Sequence, residues 1–272
     1  MAESRMTQML SGGAFWSIMS QVSKDRSRPN ETVEKTETGA ILYDRAILNH
    51  VSSASFTAGS WQWAQPVRGA LRSAGRGATL LVGDGKNELV LRHYRRGGLP
   101  GRVNRDLYLW LGEERTRAFA EWRLLARLHA RGLPVPRPAA ARYTRVGGLF
   151  YRADLLTVRE PGIRSLADRL LEEPAGDEFW RSLGAVIQRF HRAGVCHADL
   201  NAYNIQVKRS GEIFLLDFDR GRLLPAGPWQ QRNLARLYRS LRKVSQLAPQ
   251  IAFSEPHWQQ LMHGYSSAAR SA

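Results

Sequence analysis

The sequence predicts an α+β chain folded as two lobes: a small antiparallel sheet with one helix, then a mostly helical half. Three observations carry this. Short strand-like runs, broken by Gly and Asn turns, surround one long helical pattern between Gly39 and Thr157. From Ser165 onward the apolar residues recur mainly at helical spacing. Between the later helices lies Cys196–Arg220, CHADLNAYNIQVKRSGEIFLLDFDR, which sets two acids and an amide around a short strand–turn–strand. Residues 1–35 are polar and broken by Gly12, Gly13 and Pro29, so a disordered extension is expected there. Residues 36–157 are then the first lobe and 158–272 the second.

The first lobe reads in order. GAILYDRAIL (Gly39–Leu48) is a strand and turn. Trp61 and Trp63 stand in strand register and fill core. Gly75 and Gly77 precede the apolar run Leu80–Val82, where exposed backbone N–H groups can cover phosphates. ELVLRHY (Glu88–Tyr94) follows a Gly-Lys-Asn turn as the next strand and carries Arg92. Arg95–Arg102 is a basic glycine-rich loop. Glu113–Arg131 is a helix, with Phe119, Trp122, Leu125 and Leu128 on one face and Gly132 and Pro134 as its stop. PVPRP is a stiff connector. A hairpin over Ala141–Thr157 leads into a hinge, Thr157–Gly162.

The second lobe opens with helices at Ser165–Leu171 and Glu178–Ala193, then reaches the acid-bearing stretch. Asp199 can orient a hydroxyl and accept its proton. Asn204 and Asp217 offer the hard oxygen ligands that Mg²⁺ prefers, a charge that offsets the phosphates of ATP. The pattern H-x-D-L-x-x-x-N followed by apolar–apolar–D-F-x is a compound signal for phosphoryl transfer. In that template a third-strand cation meets the ATP phosphates and a helix glutamate holds it. Arg92 and Glu121 fall at those positions, with arginine replacing the usual lysine. His197 braces the loop. Asp219 replaces the glycine of D-F-G, as a structural group or a second metal contact. Trp229–Leu247 is a helix with a Leu234/Leu237/Leu241/Val244 core side and a cationic stripe of Arg232, Arg236, Arg239 and Lys243. The stripe reads either as a solvated face or, with Arg220, as a cradle for the carboxylate and phosphates of an acceptor or for acidic phospholipid. Ser245–Ala272 closes the chain as a terminal helix.

Composition narrows the partners. The formal charge is +16 over 272 residues, which attracts anionic surfaces. No nucleic-acid motif appears, so nucleic acid is not an expected partner. The lone Cys196 rules out an intramolecular disulfide and points to a reducing compartment. No apolar run reaches about 18 residues, and the N-terminus does not read as a signal peptide.

HADLNAYNI and LLDFDRGRL resemble the lipopolysaccharide kinase family, within the protein-kinase-like fold. GAILYDRAIL, GRGATLLV, LRHYRRGGLPGRVNRD, FAEWRLLARLHARGLPVPRP, YRADLLT and NLARLYRSLRK agree with it. The resemblance runs from about Thr38 to Lys243. It implies ATP as donor and, as acceptor, a 3-deoxy-D-manno-octulosonic acid (Kdo) sugar on a lipid A-type glycolipid, phosphorylated at its 4-hydroxyl. It also implies a peripheral enzyme on the anionic cytoplasmic face of the bacterial inner membrane. A monomer is expected. A heptose or other small-hydroxyl kinase, and a pseudokinase scaffold at the membrane, stand as alternatives.

Overall fold

The computed structural model describes residues 30–67, 79–95 and 106–270. Its first strand, β1 (Glu31–Thr36), is the polar ETVEKT run and pairs antiparallel with β2 (Gly39–Asp44). The sheet therefore begins at Glu31, ahead of the boundary expected at residue 36. An edge strand covered on one side needs few apolar residues, which is why this stretch reads as a polar extension.

The remaining strands of this sheet are β3 (Trp63–Pro66), β4 (Thr79–Gly83), β5 (Glu88–His93), β6 (Tyr108–Leu109), β7 (Pro138–Val146) and β8 (Phe150–Val158). They lie in the order β1-β2-β7-β8-β5-β4-β3, all antiparallel, with β6 on β8. Alternation along β5 divides the lobe. Leu89 and Leu91 join Ile41, Tyr43, Val82 and Leu156 on one face. Residue 92 falls on the other face, toward helix α1 (Arg117–Ala130). There Phe119, Trp122, Leu125 and Leu128 pack with Leu42, Ala141, Tyr143, Ala153 and Leu155.

Two local expectations change. The helix starts at Arg117, since Glu113–Arg115 is a separate 3-10 turn. The buried Thr116 turns its hydroxyl back to the Glu113 carbonyl at 2.8 Å and ends that turn. Of the two tryptophans, Trp63 is in a strand and lies against Gly83, where a Cβ would come within 2.5 Å of its ring. Trp61 sits just before the strand, its indole N–H donating to the Ser55 carbonyl at 3.0 Å.

Thr157–Gly162 carries the chain from β8 into the second lobe. There β9 (Ile163–Ser165), β11 (Ile205–Lys208) and β12 (Ile213–Leu215) form one small sheet, and β10 (Val195–Cys196) pairs with β13 (Arg222–Leu223). The helices are α2 (Leu166–Glu172), α3 (Asp177–Arg192), α4 (Trp229–Leu247) and α5 (Glu255–Arg270). Helices α3 and α5 cross at glycines, because a Cβ at Gly184 or Gly264 would lie 2.0 Å from a backbone carbonyl oxygen of the other helix. Leu183, Ile187, Phe190, Leu234, Leu237, Leu241 and Leu261 fill the core between the helices. No described helix is long and apolar enough to cross a membrane.

His191 is sealed in this helical core, with Trp229 edge-on at 5.1 Å and the Tyr265 hydroxyl 2.9 Å from Nδ1. Burial pushes its pKa down to about 4. The unfolded chain, near the ordinary value of about 6.5, then binds the proton more readily than the folded one. Stability is therefore full above that value and falls as the pH drops toward 4. A loss of about 2 kcal/mol between pH 7 and pH 5 is expected from this residue. Urea midpoints at the two pH values should show it, and His191→Phe should flatten the difference.

Candidate active site

The loop from His197 to Asn204 is built from its own polar side chains. The Asp199 backbone N–H donates to His197 Nδ1 at 3.1 Å, and His197 Nε2 lies 2.9 Å from the Leu216 carbonyl oxygen. The first contact makes Nδ1 an acceptor, so Nε2 carries the proton and donates it. Burial lowers the pKa of His197 and favours this neutral form. The side-chain nitrogens of Asn201 and Asn204 both donate to the Asp199 carbonyl, at 3.0 and 2.9 Å. Asn201 Oδ1 accepts the N–H groups of Tyr203 and Asn204 at 2.9 and 3.0 Å. The Asp199 carboxylate is left half exposed, with Arg236 Nη1 at 3.3 Å.

Helix α4 supports this loop along one stripe. Asn233 accepts the His197 N–H at 3.2 Å and donates to its carbonyl at 2.9 Å. Arg236 meets Asp199, and Ser240 Oγ accepts the Ala202 N–H at 3.1 Å. Spacings of three and four place 233, 236 and 240 on one helix face.

The β11–β12 hairpin brings the second acid to the loop. Ile205 pairs with Leu215, and the Leu216 N–H donates to the Asn204 carbonyl at 2.8 Å. Asp217 therefore stands two residues beyond the end of β12, directly after the residue that bonds Asn204. Its φ of 61°, with 59° at Arg220, puts two non-glycine residues in the left-handed region on either side of the buried Phe218. Such backbone persists where surrounding contacts fix it, often at functional sites.

The first lobe reaches across with Arg92. One end of its guanidinium pairs with Asp217; the other pairs with Glu121 and donates to the Tyr94 hydroxyl at 3.0 Å. Tyr94 donates in turn to Glu121 at 2.6 Å. Glu121 is buried. Burial raises its pKa above the usual carboxylate range, against the pull of Arg92. Burial alone would lower the pKa of Arg92, but Glu121, Tyr94 and Asp217 hold it well above its ordinary value. The guanidinium stays charged.

The donor set suits Mg²⁺. With its nitrogen committed to Asp199, Asn204 would offer a cation its amide oxygen, and Asp217 would offer a carboxylate. No cluster of three or more metal-binding acids, histidines or cysteines occurs among the described residues.

The family model described as lipopolysaccharide kinase (Kdo/WaaP) matches residues 61–265. The chain belongs to this kinase family. It is 50% identical over 208 residues to the 3-deoxy-D-manno-octulosonic acid kinase of Xanthomonas campestris pv. campestris (strain B100), covering 76% of this chain and 81% of that one. The enzyme of the same name from Stenotrophomonas maltophilia (strain K279a) is 48% identical over the same shares. A solved structure of WaaP in complex with acyl carrier protein is similar over 74% of this chain and 79% of its own, at 17% identity and a TM-score of 0.49.

Within the kinase frame the structure brings Asp199, Asn204, Asp217, Arg92 and Glu121 together. Gly75, Gly77 and most of the basic loop Arg95–Arg102 lie outside the described residues. Of the arginines expected at the acceptor, Arg236 touches Asp199, while Arg220, Arg232 and Arg239 are exposed. Asp219 pairs through both oxygens with Arg117. Sequence reasoning missed Arg117, Asn233, Ser240 and Tyr94. Asn233 carried a usable signal, as a polar residue beside Leu234 and Leu237 on a face that otherwise reads as core.

Replacing Asn233 with Leu keeps the bulk and strips both contacts from the His197 backbone. Leaving those buried groups unpaired costs about 1–3 kcal/mol of stability. Turnover should fall more than the KM for ATP rises, because the loss falls on the Asp199 loop. Urea denaturation and steady-state kinetics on the same variant would check both.

Proposed function

We propose that this chain is an ATP-dependent kinase that phosphorylates the 4-hydroxyl of a Kdo sugar on the lipid A–core precursor, in lipopolysaccharide core biosynthesis. The observation that carries the reading is the joining of Asp199, Asn204 and Asp217 to the Arg92–Glu121 pair across two lobes. Family membership and the kinases named above support the acceptor.

Asp199 orients the sugar hydroxyl and accepts its proton as that oxygen attacks the γ-phosphate in line. Its backbone is fixed by His197, Asn201 and Asn204, so the carboxylate is aimed before substrate arrives, and positioning supplies much of the rate. Arg92 parts from Asp217 to meet the phosphates, while Glu121 and Tyr94 keep its other end in place. Asn204 and Asp217 would hold Mg²⁺, which when bound neutralises phosphate charge. Arg236 sits where an acidic acceptor group would approach Asp199. A guanidinium suits the Kdo carboxylate, which can draw it off the base.

The enzyme works at the cytoplasmic side of the inner membrane as a peripheral protein. The exposed cations of α4 and the net charge of +16 support this, since anionic lipids attract such surfaces. The chain acts as a monomer.

The test is transfer of labelled γ-phosphate from ATP–Mg²⁺ to a Kdo-bearing lipid A precursor, with Asp199→Asn alongside. Label on Kdo, lost about 10²- to 10⁴-fold in the variant, is expected. Chelating Mg²⁺ should abolish the signal. Transfer only to a heptosylated or lipid-free acceptor would keep the mechanism and remove the Kdo assignment.

A further inference from the structure

The turn after β12 is tied to the first lobe by a pair that the phosphoryl-transfer chemistry leaves unused. Asp219 presents one carboxylate oxygen to Arg117 Nε at 2.7 Å and the other to Nη2. Arg117 is the first residue of α1, so this fork joins helix to turn across 102 positions of sequence. Its guanidinium lies 4.7 Å from the centroid of the Tyr108 ring and 5.7 Å from that of Tyr94, while its backbone N–H donates to the Tyr151 hydroxyl at 3.0 Å. Both charged groups are about four-fifths covered, with side-chain exposures of 21% and 20%. A planar, bidentate, stacked arrangement of this kind is specific to arginine.

The same helix meets the same turn at a second point. A Cβ on Gly221 would come within 2.8 Å of Leu124 Cδ2. Positions 117, 121 and 124 share one face of α1. Between the two contacts stands Glu121, the residue that holds Arg92. On the turn, Asp217 and Asp219 point to the two arginines, and Tyr94 lies against both guanidinium groups. The helix can leave the turn only if Arg117 leaves Asp219, and Glu121 would move with it.

We propose that Arg117 and Asp219 are positioning residues: their fork seats α1 on the Asp217 turn and holds Glu121, Arg92 and Asp217 at the one spacing that MgATP engages. Asp219 is committed to this fork rather than to a metal. The inference rests on the phosphotransferase reading for its effect on catalysis, but not for its effect on the helix.

Two measurements on the full chain test it. In steady-state transfer, Arg117→Ala and Asp219→Ala should each raise the KM for MgATP about 10- to 100-fold, the usual range for groups that orient a metal site. The double variant should be no worse than either single one, the KM for the acceptor should hold, and Arg117→Lys should recover part of the loss. Amide hydrogen exchange over residues 117–125, without substrate, should quicken in each single variant and no further in the double. Asp219→Asn and Arg117→Lys keep the bulk and serve if the alanine variants fail to fold. The proposal is overturned if Asp219→Asn alone destroys the Mg²⁺ response while Arg117→Lys leaves it intact, which would make Asp219 a metal ligand. Additive effects would overturn it too. If the wild type transfers no phosphate to any acceptor, the phosphotransferase reading fails separately, and unchanged exchange in α1 would still sink the lock.

Discussion

One guanidinium organises the cleft. Arg92 sits between a buried carboxylate of the first lobe and a carboxylate of the second, and each needs it for a different reason. Glu121 is buried and would be costly to ionise without a partner. Asp217 is more exposed and does not depend on the pair for its solvation. The arginine is thus bound firmly at one end and exchangeably at the other. A lysine could not divide itself this way, having a single point of charge. Departure from the usual third-strand lysine therefore suits a site where one cation must be both anchored and free to turn.

The local charge follows from this. One cation faces two carboxylates, so the cleft carries a surplus negative charge before any ligand enters. Asn204 adds an uncharged oxygen beside it. A divalent cation bound with phosphates would meet that surplus and would leave Arg92 free to turn from Asp217 toward the phosphates. The buried, neutral His197 adds no charge of its own to this balance and fixes backbone geometry alone. Around Asp199 the same division holds: its carbonyl takes two amide nitrogens, and its carboxylate stays half exposed beside Arg236.

Much of this was legible in the sequence because it is local. The loop that aims Asp199 closes on residues two to five positions away, so its spacing alone reveals it. The Arg92–Glu121 pair was legible for another reason: the kinase template sets a strand cation against a helix glutamate, and Arg92 and Glu121 fall at those positions. What stayed hidden depends on docking between distant elements. Nothing near Arg117 indicates Asp219, and an arginine at a helix start reads as solvated. Ser240 looks like an ordinary helix residue because its partner is a backbone group, which leaves no mark in sequence; Asn233 is marked only by its polarity on a core face, which does not name the His197 backbone as its partner. The early start of the sheet at Glu31 was hidden by polarity, since an edge strand makes much of its stabilisation from backbone hydrogen bonds.

The shortness of the segment after Asp217 ties these points together. Only four residues separate Asp217 from β13, so there is no length of chain that could order or release the site by refolding. The assembled arrangement must be held by contacts already present, and the ion pairs that tie this turn to the first lobe are two arginines on two of its aspartates. The turn is fixed from beneath by Phe218, buried against Phe190 and His197. Asp217 and Asp219 therefore cannot follow the first lobe if it swings away. Separation of the lobes would leave both carboxylates and both guanidinium groups to be solvated together, and would pull Glu121 from its partner. Ligand binding changes that balance at one end only. Were phosphates to take Arg92, the Arg117–Asp219 pair would still join the helix to the turn, and the geometry around Glu121 would keep that support.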